Sequence, residues 1–166
     1  MKILRAINNM IAKVEFGFVI LILTSMVLLA FTQIILRNFF STSISWADIL
    51  LRHLVLWIGF IGASLATKEQ RHINIDVLSR IIPEKASEYI HVVTNLFAAI
   101  ICFFLTRAAV RFVIMEQEMG STIFAGIPIW IAESIIAAGF GLMTFRFALQ
   151  AIENIAHLMA KEGEES

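Results

Sequence analysis

Charge is scarce in this chain. Asp, Glu, Lys and Arg make up 16% of its 166 residues, against ~25% in soluble domains. Acids and bases balance to a formal net charge of zero, so there is no basic footprint for nucleic acid. Cysteine is nearly missing as well. Cys102 stands alone in an apolar run, which excludes an intrachain disulfide and a cysteine-based metal site and reads as a small apolar core residue. No phosphate-binding loop, nucleophile arrangement, zinc motif, internal repeat or low-complexity tract is present, and enzymatic activity is not expected. What the chain does have is apolar surface: 59% of residues are hydrophobic and the mean hydropathy is +0.85. A soluble core of this size could not hide so much. The class is an all-α integral membrane protein, a single domain over 1–166.

Four runs are long enough to cross a hydrocarbon layer that needs ~20 residues. The first, Phe16–Leu36, is free of charge for 21 residues, too long for the ~7–15-residue core of a cleaved signal peptide. It is preceded by a short basic segment, Met1–Glu15, whose apolar positions Ile3, Leu4, Ile7, Ile11 and Val14 predict an amphipathic helix along the membrane surface. The spans are expected at about 16–37, 46–67, 86–107 and 128–146. Ser45 can cap the second, and Pro128 suits the first turn of the fourth. Trp46 and Trp130 fit interfacial anchors. Gly59, Gly62 and Ala63 form a small-residue surface that admits another helix closely. Between spans two and three, Ile75, Leu78, Ile81 and Ile82 share a stripe, which predicts a short interfacial helix capped by Asn74 and ended by Pro83, or else a solvated loop. Met115–Ala125 reads as a loop. The tail, 150–166, keeps a helical stripe and then becomes acidic and disordered.

Lys and Arg decide the orientation. Nine fall on the side of the two termini and the central loop; Arg37, Arg52, Arg107 and Arg111 fall on the other. Both termini are therefore expected in the cytoplasm, which puts Arg37, Asp48, Arg52, His53, Arg107 and Glu133 in the external half. A lone carboxylate at the depth of Glu133 should pair or protonate. The candidates are a proton or cation site, or a structural pair with Arg52 or Arg107. Asp48 and Arg52, at i and i+4, can pair along their helix, cross to span four, or face a partner.

Four histidines raise a haem-b membrane anchor of a respiratory complex. Haem needs two histidines facing each other at one depth, and His53, His72, His91 and His157 supply no such intramembrane pair. A small self-sufficient transporter would want polar groups at the midplane, where this chain offers Leu, Ile, Phe, Ala and Gly. It reads as a scaffold that needs a partner, with no substrate-binding, catalytic or metal residues of its own.

The ordered set QIILRN (33–38), SISWAD (43–48), RHLVLWIGFIGASLA (52–66), HINIDVL (72–78) and GIPIW (126–130) resembles the small, Q-type permease subunit of tripartite ATP-independent periplasmic (TRAP) transporters. Asp48 matches the first of two acids common after the Trp-Ala, and Ile49 stands in place of the second. The resemblance implies four membrane helices in the bacterial inner membrane, packed among lipids against a large M-type permease subunit. That subunit would carry the sodium and substrate sites and move by an elevator-like step. A periplasmic binding protein would deliver the substrate, an organic acid of the C4-dicarboxylate or sialic acid class. The small subunit would be a static brace, with no cofactor in this chain. Arg37, Asp48, Arg52, Arg107 and Glu133 would set helix register or form a partner interface.

Overall fold

A computed structural model describes residues 2–78, 84–123 and 126–164. They form four helices: α1 Lys2–Phe40, α2 Ser45–Leu78, α3 Glu84–Met119 and α4 Ile129–Glu164. All four are long and apolar enough to cross a membrane. They are also longer than the expected spans. At ~1.5 Å per residue the 39 residues of α1 make a rod of about 58 Å, nearly twice the ~30 Å of hydrocarbon.

The extra length absorbs segments that were expected to be separate. The amphipathic N-terminal piece is the first part of α1. Asn74 is not a cap, because α2 runs through it to Leu78; the rest of the expected surface helix, 79–83, lies outside the described residues. The loop expected from Met115 begins only after Met119, and the tail is helical to Glu164. The reason is common to all. A charged residue marks where a helix leaves lipid, but backbone hydrogen bonding continues in water until a breaker intervenes; these helical segments contain no proline, and their one glycine, Gly163, stands in the last turn of α4.

The turns are tightly built. Ser41 sits at φ 47°, the left-handed conformation common at helix C-termini, and the Thr42 N–H donates to the Leu36 carbonyl at 3.3 Å. Gln33 reaches across the turn. Its Nε2 donates to the Ile44 carbonyl at 2.8 Å, and its Oε1 accepts from the Ile44 N–H at 3.1 Å. The residue ahead of α2 is thus held by a glutamine of α1. Between α3 and α4, Thr122 and Pro128 form an isolated antiparallel bridge, and Ile129 N–H donates to Ser121 at 2.9 Å.

The contacts fix an up-down-up-down order. α3 and α4 form a long antiparallel hairpin, α2 lies along α4, and α1 lies along α2. Both termini are at one end of the bundle, and the two described turns are at the other. The buried residues are mainly small, among them Ala12, Ala99, Cys102, Ala109 and Ala151. α2 and α4 are in tight contact at Gly139, where an added Cβ would lie 2.9 Å from the Phe60 ring; Phe60 also meets Phe140 edge-on at 5.2 Å. Larger apolar side chains point out, Leu21 at 63% and Phe97 at 65% exposure. The surface area of 11291 Å² exceeds the ~8300 Å² of a compact soluble protein of this mass. Such a surface must be covered by lipid or protein.

Candidate functional site: a buried arginine clasp

The most tightly connected polar site lies where α1, α2 and α4 converge. Arg146 is 0% exposed. Its Nε donates to Asn8 Oδ1 at 3.0 Å. Nη1 donates to Ser64 Oγ at 2.9 Å and to the Ser64 carbonyl. Nη2 pairs with the Glu15 carboxylate. Two links extend the site toward the termini: Arg5 Nε to Glu153 Oε1 at 2.5 Å, and Gln150 Nε2 to the Thr67 carbonyl at 2.8 Å. Higher in the bundle, the Trp57 indole N–H donates to the Ala132 carbonyl at 2.8 Å.

A guanidinium presents five N–H donors in a rigid planar fork. Here that fork is spread over two helices besides its own, so its bonds act as cross-braces. A buried charge is tolerated when paired and hydrogen-bonded, and Arg146 meets both conditions. The arrangement can hold three helices in one register. The nitrogens of Arg146 are all engaged within the chain, Nε by Asn8, Nη1 by Ser64 and Nη2 by Glu15. The cavity of about 240 Å³ between α1 and α2 is lined by Met10, Ile11, Val14, Phe18 and Ile61, together with Glu15, and suits hydrocarbon. Among the described residues no group of three or more potential metal ligands exists.

In the sequence, Arg146 and Glu15 stand at the ends of the expected membrane runs, and Asn8 and Ser64 carry no expected role. A signal was present. Arg146 is flanked on both sides by apolar residues, Phe145 and Phe147, so it sits within a run rather than at its end. Ser64 and Thr67 recur at i, i+3, and both are buried on α2.

The residues singled out from sequence lie elsewhere: Arg37, Asp48, Arg52 and Glu133 near the turn end, and Arg107 on the surface of α3, within about 5 Å of the level of Arg146. Arg37, Asp48, Arg52 and Arg107 are exposed. Asp48 is in the first turn of α2, where the helix dipole favours an acid. His53 is tied to the Ile49 carbonyl at 2.8 Å. Among the described residues no ion pair within 4.0 Å joins any of Arg37, Asp48, Arg52, Arg107 and Glu133. The expected pairing of Glu133 with Arg52 or Arg107 is not made, and its Oε2 is buried without a hydrogen-bond partner. Register explains the case of Arg107. Thr106 Oγ1 lies 3.4 Å from Thr144 Oγ1, so Arg107 is level with Met143, ten residues or about 15 Å from Glu133. The groups that do act electrostatically on Glu133 are Glu116 and His53. Arg52 projects from the outward face of α2.

That outward face also carries the small residues. An added Cβ at Gly59 or Gly62 would meet nothing within 4 Å, and Gly59 and Ala63 are exposed. The helix packing expected there is not made within the chain; Gly139 takes that part. Trp46 and Trp130, each the second residue of its helix, lie at the turn end together, as a pair of interfacial anchors would.

Comparison with known proteins bears on the assignment. The model of the DctQ component of tripartite ATP-independent periplasmic transporters matches residues 26–157. A TRAP transporter small permease protein of Haemophilus influenzae is 29% identical over 106 residues, 64% of this chain and 66% of that protein. The ectoine TRAP transporter small permease protein TeaB of Halomonas elongata is 26% identical over 154 residues, 92% of this chain and 80% of that protein. The sialic acid TRAP transporter permease protein SiaT of Haemophilus influenzae is 28% identical over 79 residues, 48% of this chain but 13% of that protein. With four spanning helices and a family match over most of its length, the chain belongs to the DctQ component family of tripartite ATP-independent periplasmic transporters, as a non-catalytic, multi-pass subunit of the inner membrane.

Proposed function

We propose that this chain is the static small subunit that braces a large M-type permease subunit, and that the large subunit carries out sodium-coupled uptake of an organic acid. One observation carries the reading: the buried polar groups of the spanning helices are spent on holding α1, α2 and α4 together at Arg146. A carrier must expose polar groups alternately to both sides; a guanidinium locked to two neighbouring helices cannot. The match to a SiaT segment that is 13% of that permease protein supports close association with a much larger permease unit.

In this reading sodium and substrate are bound in the partner. The substrate belongs to the C4-dicarboxylate or sialic acid class, and a periplasmic binding protein delivers it. Relatives named for sialic acid and for ectoine share this subunit type, which supports a substrate choice made outside this chain. Both termini are cytoplasmic, by the distribution of Lys and Arg. The outward face of Gly59, Gly62 and Ala63 is where the large subunit approaches closely. The charges at the turn end, Arg37, Asp48, Arg52 and Glu133, then face the periplasm, and some of them meet the binding protein.

Reconstitution tests this directly. The purified chain in sodium-loaded or sodium-free proteoliposomes should accumulate no solute. Co-expressed with a neighbouring large permease gene, it should co-purify as a complex that accumulates an organic acid once the binding protein is added. Uptake by the chain alone would overturn the reading.

A further inference from the structure

We propose that the bilayer crosses this bundle obliquely, so that the lipid belt on α3 is displaced about 25 Å toward the termini from the belt on α1. At the clasp, Glu15, Ser64 and Arg146 share a level. On α1 the charge-free run Phe16–Leu36 is centred at Met26, eleven residues beyond Glu15, or about 16 Å toward the turn end. On α3 the level is set by Thr106 beside Thr144, two residues or about 3 Å from Arg146 toward the turns. The charge-free run of α3, Tyr89–Thr106, is centred near Ala98, eight residues back, or about 9 Å beyond the clasp on the terminal side. The runs of α2 and α4 are centred between these two. Leu54–Thr67 on α2 and Ser134–Phe145 on α4 are centred about 5 and 10 Å from the clasp toward the turns, so the full step lies between α1 and α3, the two ends of the spatial order α1, α2, α4, α3.

Two arginines decide how lipid responds to this step. Arg107 and Arg111 are exposed on α3 and, among the described residues, make no ion pair. Arg107 is level with about Phe18 of α1, and Arg111 with about Ile22. A hydrocarbon layer perpendicular to the bundle and centred on α1 would immerse both guanidinium groups, unpaired, in lipid, which is strongly disfavoured. It would also leave Val93, Phe97 and Ile100, all exposed, in water. A slanted layer removes both penalties. It covers the lower half of α3, brings Arg107 to the interface, and leaves Arg111, Glu116 and Glu118 hydrated at the turn end. Membrane helices tilt by up to ~40°, and inclination, helix crossing and arginine snorkelling together absorb the step.

Spin labels read this without reference to transport. In a Cys102→Ala background of the full chain, single cysteines at Leu23, Val27, Phe97 and Ile114, all exposed, would be labelled in phosphatidylcholine–phosphatidylglycerol vesicles and in native membranes. Collision with oxygen reports lipid, and collision with a water-soluble nickel chelate reports water. Leu23 and Ile114 lie within one helical turn of the same height on the bundle. The expected result is a reversal of the oxygen-to-nickel ratio between them, with Leu23 in lipid and Ile114 in water, while Val27 and Phe97 both read as deep. Equal ratios at Leu23 and Ile114 would overturn the slant. So would an Ile114 label closed to both probes in native membranes, because a protein surface would then be covering the upper part of α3.

Discussion

The two ends of this bundle handle charge in opposite ways. Toward the termini, Arg146, Glu15, Asn8 and Ser64 form one interlocked group with its guanidinium out of reach of water. Toward the turns, Arg37, Asp48 and Arg52 are exposed, separate, and make no ion pair among the described residues. The first arrangement works within the chain. The second is available to something outside it. A charge that is buried must have its partners supplied by the same fold, whereas an exposed charge can wait for a partner, lipid headgroup or water. The difference separates what holds this subunit together from what it presents to an assembly.

The largest expected effect breaks the buried side. Arg146→Ala leaves Glu15 buried without its cation, and losing one member of a buried pair costs about 3–5 kcal/mol. Thermal unfolding in detergent should show a fall in midpoint large enough to deplete the folded subunit. The double variant Arg146→Met, Glu15→Leu removes both charges and should recover much of the loss. If the single variant unfolds like the parent, the clasp is not what binds α1 to α4.

A smaller effect sharpens the comparison between inward and outward faces of helices. At Gly139 an added methyl meets the Phe60 ring and Cβ at 2.9 and 3.0 Å, and overpacking of this kind costs about 1–3 kcal/mol, offset in part by the better helix propensity of alanine. At Gly59 a methyl meets nothing, so Gly59→Ala should leave the isolated chain as stable or more so. It should instead reduce the yield of complex recovered on a tagged large subunit, if that face is the docking face. Equal thermal shifts for the two variants would erase the distinction.

The smallest effect on the chain itself belongs to the turn end. Arg52→Ala should change the unfolding free energy by no more than about 0.5 kcal/mol, as surface substitutions do, and Glu133→Ala should not destabilise, because no hydrogen bond to its Oε2 is lost. Both should lower uptake by the assembled transporter through weaker assembly or docking. Normal assembly with altered sodium dependence in Glu133→Ala would point to an ion site.

The same contrast explains what could be read ahead of the structure. The position of Trp46 and Trp130 at the starts of α2 and α4 was legible, because helix starts are set by local composition. Cys102 was legible as a core residue because its apolar run leaves it no other environment. Arg146 was not legible as the centre of a polar site, because its three partners come from positions 138, 131 and 82 residues away. Whether Glu133 meets Arg52, Arg107 or neither is not legible in the sequence, because it depends on the register between helices, which places Arg107 level with Met143. Gly59 and Gly62 leave open space on α2, but spacing along one helix does not say whether a neighbour comes from the same chain.

Four apolar runs, a scarcity of charge and two boundary tryptophans were enough to determine by themselves that this chain lives in a membrane as a small helical bundle. Each of those features is a transfer free energy summed over a local stretch, and needs no knowledge of neighbours. Only the tertiary structure decided which charges are buried together, which glycine is crowded, and how far the apolar run of α3 is offset from that of α1. Those depend on the relative register of rods about 50 Å long, and register is set by contacts between residues far apart in the chain.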